Sequence, residues 1–175
     1  MRYYTIQNNN LLIAENEYAL ARFYDNVFEL PADYEEGKYV VIDGVLVLNP
    51  NYEQEQAEKR EAEFKSKFFE IQGFGWYRKQ PKGYQSAVES LNTAFNAVTI
   101  MQQLPAGMLI FYQQPDFTKP EECTEEWLVE HQIFNGVMTV QEFGTFYVGF
   151  MTAWNNQEHV SEEQDENTTD GQAEL

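Results

Sequence analysis

Residues 39–48, YVVIDGVLVL, constrain this chain more than any other segment. Two apolar runs of four flank Asp43-Gly44, a pair suited to the positive φ angles of a type I′ turn, whose twist matches that of the strands it joins. The segment therefore predicts a tight antiparallel hairpin. At Asn51 the pattern switches abruptly. NYEQEQAEKREAEFKSKFF is rich in helix formers, with Asn51 and Gln54 spaced as a capping box. The pairs Glu55 with Lys59, Glu61 with Lys65 and Glu63 with Lys67 have the favourable Glu-first i,i+4 order, each worth about 0.2–0.5 kcal/mol. Large apolar residues are sparse until Phe64, Phe68 and Phe69, so this helix reads as a solvated arm that docks only at its C-terminal end, with a module boundary along it.

Upstream, YYTIQNNNLLIA at 3–14 places three Asn residues between apolar runs and predicts a first hairpin. Glu17 to Tyr24 suits a short helix with Tyr18, Ala21 and Phe23 partly buried, stopped before Pro31. Downstream, Gly73 and Gly75 break the long helix and read as a connector, and Pro81 and Gly83 delimit a loop. From Tyr84 to Met101 apolar residues recur at helical spacing, including Leu91, Phe95 and Val98, after a second capping box at Ser86 and Glu89. MLIFY at 108–112 has the make-up of a buried strand. Thr124 suits the cap of a helix reaching His131, with Trp127, Leu128 and Ile133 on its buried side. Thr139 and Glu142 form a third capping box, opening a strongly aromatic helix.

The chain has 175 residues with 29 acidic and 11 basic side chains, a formal charge of -18. Such a surface repels phosphate backbones and anionic lipid, which argues against direct binding to nucleic acid or membrane. The longest wholly apolar stretch, Met108 to Tyr112, is strand-sized and far short of a membrane span. Aromatic residues make up 15% of the chain, enough to build a core despite the charge. The last residues differ. From 158 to 175 there are seven acids and neither Lys nor Arg, a composition that predicts disorder. The expected architecture is α+β: an N-terminal β-hairpin unit at 1–50, a connecting helix at 51–70, a mainly α-helical unit at 71–155, and a disordered acidic tail at 156–175.

Little in the sequence points to catalysis. Cys123, His131 and His159 are the only thiol and imidazoles, and no zinc spacing relates them. A Cys123–His131 nucleophilic pair lacks an orienting third group and an oxyanion signature. The glycines at 73, 75 and 83 match no phosphate loop, and adjacent acids such as Glu121-Glu122 read as solvated faces. The expectation is a non-enzymatic protein with no cofactor and no metal. Candidate protein contacts fall in two places. One is the basic segment Arg78, Lys79 and Lys82 with Trp76, Tyr77 and Tyr84 interleaved, the one local feature resembling a nucleic-acid surface; it is too short to offset the charge of the whole chain, so an internal salt-bridging or protein-contact role is expected. The other is the stripe Phe146, Tyr147, Phe150 and Trp154, which is an interface only if the fold leaves it exposed and otherwise a core face.

GKYVVIDGVLVLNPNYEQEQ, with the charged helix after it, resembles a module near the start of many small proteins encoded by bacteriophages and prophages, often in the tail region. In these an acidic turn and Gly lead to a hairpin with a central Asp-Gly or Asn-Gly, then Asn-Pro, an aromatic and a charged helix. MRYYTIQNNNLLIAEN is similar to their opening strand pair. The resemblance covers about the first 65–70 residues and supplies no catalytic motif. It implies a structural or tail-associated accessory protein whose partners are other phage proteins, made in the host bacterial cytoplasm and carried in the virion tail. A second expectation, from charge alone, is an inhibitor that offers carboxylates in place of phosphate to a basic host protein.

Overall fold

The computed structural model describes residues 1–80 and 87–166. It is α+β, and the chain divides into two compact units, Met1–Gln56 and Ala57–Leu175, the division falling inside a long helix.

The first unit is built on two hairpins. β1 (Tyr3–Gln7) and β2 (Asn10–Ala14) pair from Tyr3↔Ala14 to Gln7↔Asn10, and β3 (Phe28–Glu29) joins the other edge of β1. β4 (Tyr39–Ile42) and β5 (Val45–Leu48) pair from Tyr39↔Leu48 to Ile42↔Val45. Both turns have two residues at positive φ, Asn8 and Asn9 at 50° and 64°, Asp43 and Gly44 at 53° and 76°. That is the conformation for which Asn, Asp and Gly are suited. The turns are tied together where Gly44 N donates to Asn9 Oδ1 at 3.2 Å. α1 (Glu17–Ala21) is capped by Asn16 and buries Leu20 rather than the expected Tyr18, Ala21 and Phe23; Tyr18 and Phe23 are 81% and 76% exposed. One helical turn has room for a single inward residue, and Leu20 takes it.

α2 (Tyr52–Lys67) begins where Asn49 folds back: its Oδ1 accepts from Asn51 N, and its Nδ2 donates to Gly37 O and to Glu55 Oε2. Lys65–Glu61 and Lys67–Glu63 form as the spacing predicts, whereas the Glu55 carboxylate is engaged by Asn49. Phe64 is the one buried residue of α2.

The helix stops at Lys67, before the expected 70, and the chain passes directly into β6 (Phe68–Ile71), which turns through Gly73 into β7 (Gly75–Arg78). The glycine segment read as a connector is thus a hairpin. Helices supply most of the residues of the second unit, around a sheet in the order β10-β9-β7-β6, with β9 at Ile110–Tyr112 and β10 at Gln132–Phe134. α3 (Ala87–Met101) leads into β8 (Gln103–Leu104), α4 (Glu125–Glu130) follows a 3₁₀ turn at Pro120–Cys123, and β11 (Met138–Thr139) pairs with β8. α5 (Val140–Glu166) opens on the expected capping box: Glu142 Oε2 takes Thr139 N–H at 2.8 Å and its hydroxyl at 2.9 Å. The helix continues to Glu166. Residues 167–175 of the expected tail and the Ser86 cap lie outside the described residues.

Phe69, Ile71, Tyr77, Leu91, Ala94, Phe111, Phe143, Phe146 and Phe150 form the principal core, where α3 and α5 cover the sheet. Gly149 lets α5 approach β6, since a Cβ there would stand 3.1 Å from Ile71 Cγ2. The turn before β9 hangs on buried Asn135. Its Oδ1 accepts from Leu109 N at 2.7 Å, and its Nδ2 donates to Pro105 O at 2.9 Å and Gly136 O at 2.7 Å.

Candidate functional site

The segment 76–79 turns inward. Tyr77 is 4% exposed, inside the principal core, and burial pushes its phenol pKa up. Arg78 makes a two-pronged pair with Glu125 and lies over the Phe68 ring at 5.4 Å, so its charge is matched inside the molecule. Trp76 packs edge-on against Phe64 and donates from Nε1 to Gln114 at 3.2 Å. Lys79 reaches Lys65 O, and its ammonium pKa is lowered by burial. Strand alternation explains the placement: Tyr77 faces the principal core, and Trp76 and Arg78 face the other side, against Phe64 and Phe68. Arg78 is salt-bridged internally, Tyr77 is too deeply buried to meet a partner, and Lys82 lies outside the described residues.

The aromatic stripe of α5 divides. Phe146 and Phe150 are fully buried and are core, not contact, residues. Tyr147 and Trp154 are partly buried against the same core. The exposed part of this helix is a neighbouring ridge. Val140, Gly144 and Val148 follow one another at i,i+4 spacing, and a groove of about 350 Å³ runs between this ridge and α3, lined by Phe95, Val98, Thr99 and Tyr147 among others. Phe95 is 50% exposed and Met101 and Ile133 are more than half exposed, so these three sequence-predicted core positions face outward. Helical spacing marks an apolar stripe without showing how wide a part of it the fold covers.

Cys123 and His131 do not form a catalytic pair. The Cys123 thiol sits 3.5 Å from Lys119 O, and burial raises its pKa, opposite to what an activated nucleophile needs. The His131 ring stacks on Trp127 with centroids 3.9 Å apart, and its Nδ1 bonds Trp127 O at 2.8 Å. A cleft of about 240 Å³ beside Cys123 is lined by Arg60, Glu63, Lys67 and Glu125, charges of both signs, with Arg60 engaged by Phe117 O and Lys67 by Glu63. Among the described residues no three His, Cys, Asp or Glu side chains gather as metal ligands, and no helix is long and apolar enough to cross a membrane.

The feature that sequence reasoning undervalued is in the first unit. Its buried side chains are Thr5, Leu20 and Leu30, while Tyr18, Phe23, Phe28, Val45 and Leu48 are each more than half exposed. β4 and β5 pair only with each other among the described residues, so the hairpin has two open edges. An exposed apolar hairpin has the same alternation as one with a covered face, which is why the pattern alone does not separate them. No protein-family model matches the chain, and comparisons with curated proteins and with solved structures give no match.

Proposed function

We propose that this chain is a non-enzymatic, tail-associated accessory protein of a bacteriophage that works through protein contacts made by its N-terminal unit. One observation carries the contact reading: a 56-residue unit that exposes more large apolar side chains than it buries. Leu20 and Leu30 together contribute only about 3–6 kcal/mol of burial, far less than the ordering entropy of such a segment. A partner strand on the edge of β4 or β5 would supply both backbone hydrogen bonds and cover for Val45 and Leu48. The phage setting rests on the resemblance of residues 35–64 and on no geometric feature.

Mass spectrometry of purified virions from a host carrying the gene tests the reading. The chain should be present in the tail fraction, and Val45→Lys with Leu48→Lys should lower its incorporation without loss of expression. Consistent absence from virions refutes the tail role, and unchanged incorporation of the double variant refutes the hairpin as the contact.

A further inference from the structure

We infer that the outer face of α3 and α5 is the contact of a two-fold homodimer of this chain. The observation that selects the occupant is the distribution of charge. From Ser90 through Pro115 there is no charged residue, and from Gln132 through Gln157 there is only Glu142, in a chain with 29 acids and 11 bases. The Glu142 carboxylate is already taken up by Thr139 at the start of α5. A charged partner laid on this face would lose water from its ionic groups and find no counter-charge. A second copy brings the same neutral surface, as the centres of interfaces require.

The shape of the face is also self-complementary in kind. It projects Phe95, half exposed, and Val148, 65% exposed. Beside them it carries the groove of about 350 Å³ and a notch at Gly144, where an added Cβ would have no atom within 4 Å. A two-fold contact needs projection and recess on one surface, because each copy must present both. Helix-interior glycine is unfavourable by about 1 kcal/mol relative to Ala, and no packing among the described residues accounts for Gly144.

Sedimentation velocity of the full chain from about 1 to 100 μM tests the dimer, with Val148→Glu and Phe95→Glu as variants. The native chain should sediment as a concentration-dependent dimer, tightened by added salt as the self-repulsion of -18 charges is screened. Each variant counts twice across a two-fold axis and should weaken association by at least about 100-fold, because it buries unpaired carboxylates. Val148 makes no ring contact that Glu would break, and an unchanged far-ultraviolet circular dichroism spectrum verifies that its variant is folded. A native chain that stays monomeric at the highest concentration in salt overturns the inference, including where it then binds a different protein. So does a dimer that survives Val148→Glu.

Discussion

α5 carries two glycines whose replacement by alanine should have opposite effects. In an exposed helix interior, Gly→Ala stabilises by about 1 kcal/mol, and this gain is available at both Gly144 and Gly149. At Gly144 nothing lies within 4 Å of the new methyl, so the gain stands. At Gly149 the methyl would stand 3.1 Å from Cγ2 of Ile71, a residue with no exposed surface, held in β6. Neither strand nor helix can withdraw without opening the principal core, and overpacking of this kind costs about 1–3 kcal/mol. The net effect at Gly149 is a loss of about 1 kcal/mol, and the two variants should differ by about 2 kcal/mol. Urea unfolding followed by tryptophan fluorescence is the assay, because Trp76, Trp127 and Trp154 all lie in the second unit. With a slope of about 1–3 kcal/mol per molar, the two midpoints should separate by about 1 M. Working near 1 μM keeps self-association, which couples to stability, about as low as the assay allows. If Gly149→Ala raises the midpoint as Gly144→Ala does, the approach of α5 to β6 is slack and the packing argument fails.

Thr5 is fully buried in β1 with no partner for its hydroxyl among the described residues, so Thr5→Val should stabilise the first unit by about 1 kcal/mol and slow amide exchange in the β1–β2 hairpin about five-fold; faster exchange would contradict this. The bonds from Thr139 hold the Glu142 carboxyl below its ordinary value of 4.5, so its contribution to stability is present above that value and is lost as pH falls through the lower, folded-state one. Glu142→Gln should therefore flatten the acid side of the stability profile of the second unit, and parallel acid losses in both proteins would refute the linkage. Burial raises the Cys123 thiol, so iodoacetamide should modify the native chain more slowly than the urea-unfolded one at pH near 8; rapid native labelling at neutral pH would show an activated thiolate instead.

The sequence was most legible where a residue type answers a single local demand. Asn8-Asn9 and Asp43-Gly44 sit at positive φ, and Thr139 with Glu142 closes its capping box, because these are short-range requirements that few residues meet. β6 was not legible. Phe68, Phe69 and Ile71 are all buried, so the strand has no clean alternation, and it follows a helix without an intervening breaker. Its turn is marked by Gly73, which signals a change of direction without naming the structure on either side. Three of the candidate contacts are buried for a related reason. Tyr77, Phe146 and Phe150 have the composition of an interface centre, and only the tertiary fold distinguishes such residues from Phe95 and Val148, which remain outside.

Asn135 also carries a chemical liability. Asn135-Gly136 is a sequence in which the following backbone nitrogen readily attacks the side-chain amide, expelling ammonia and leaving, after ring opening, aspartate or its isomer. In the folded chain that amide is clamped from both ends, by Leu109 N on its oxygen and by the Pro105 and Gly136 carbonyls on its nitrogen. The attack is confined to moments when the turn opens. A carboxylate formed then has no hydrogen to return to either carbonyl and would face both across a short gap, so the turn could not close as before. Each opening thus carries a small chance of permanence at this turn.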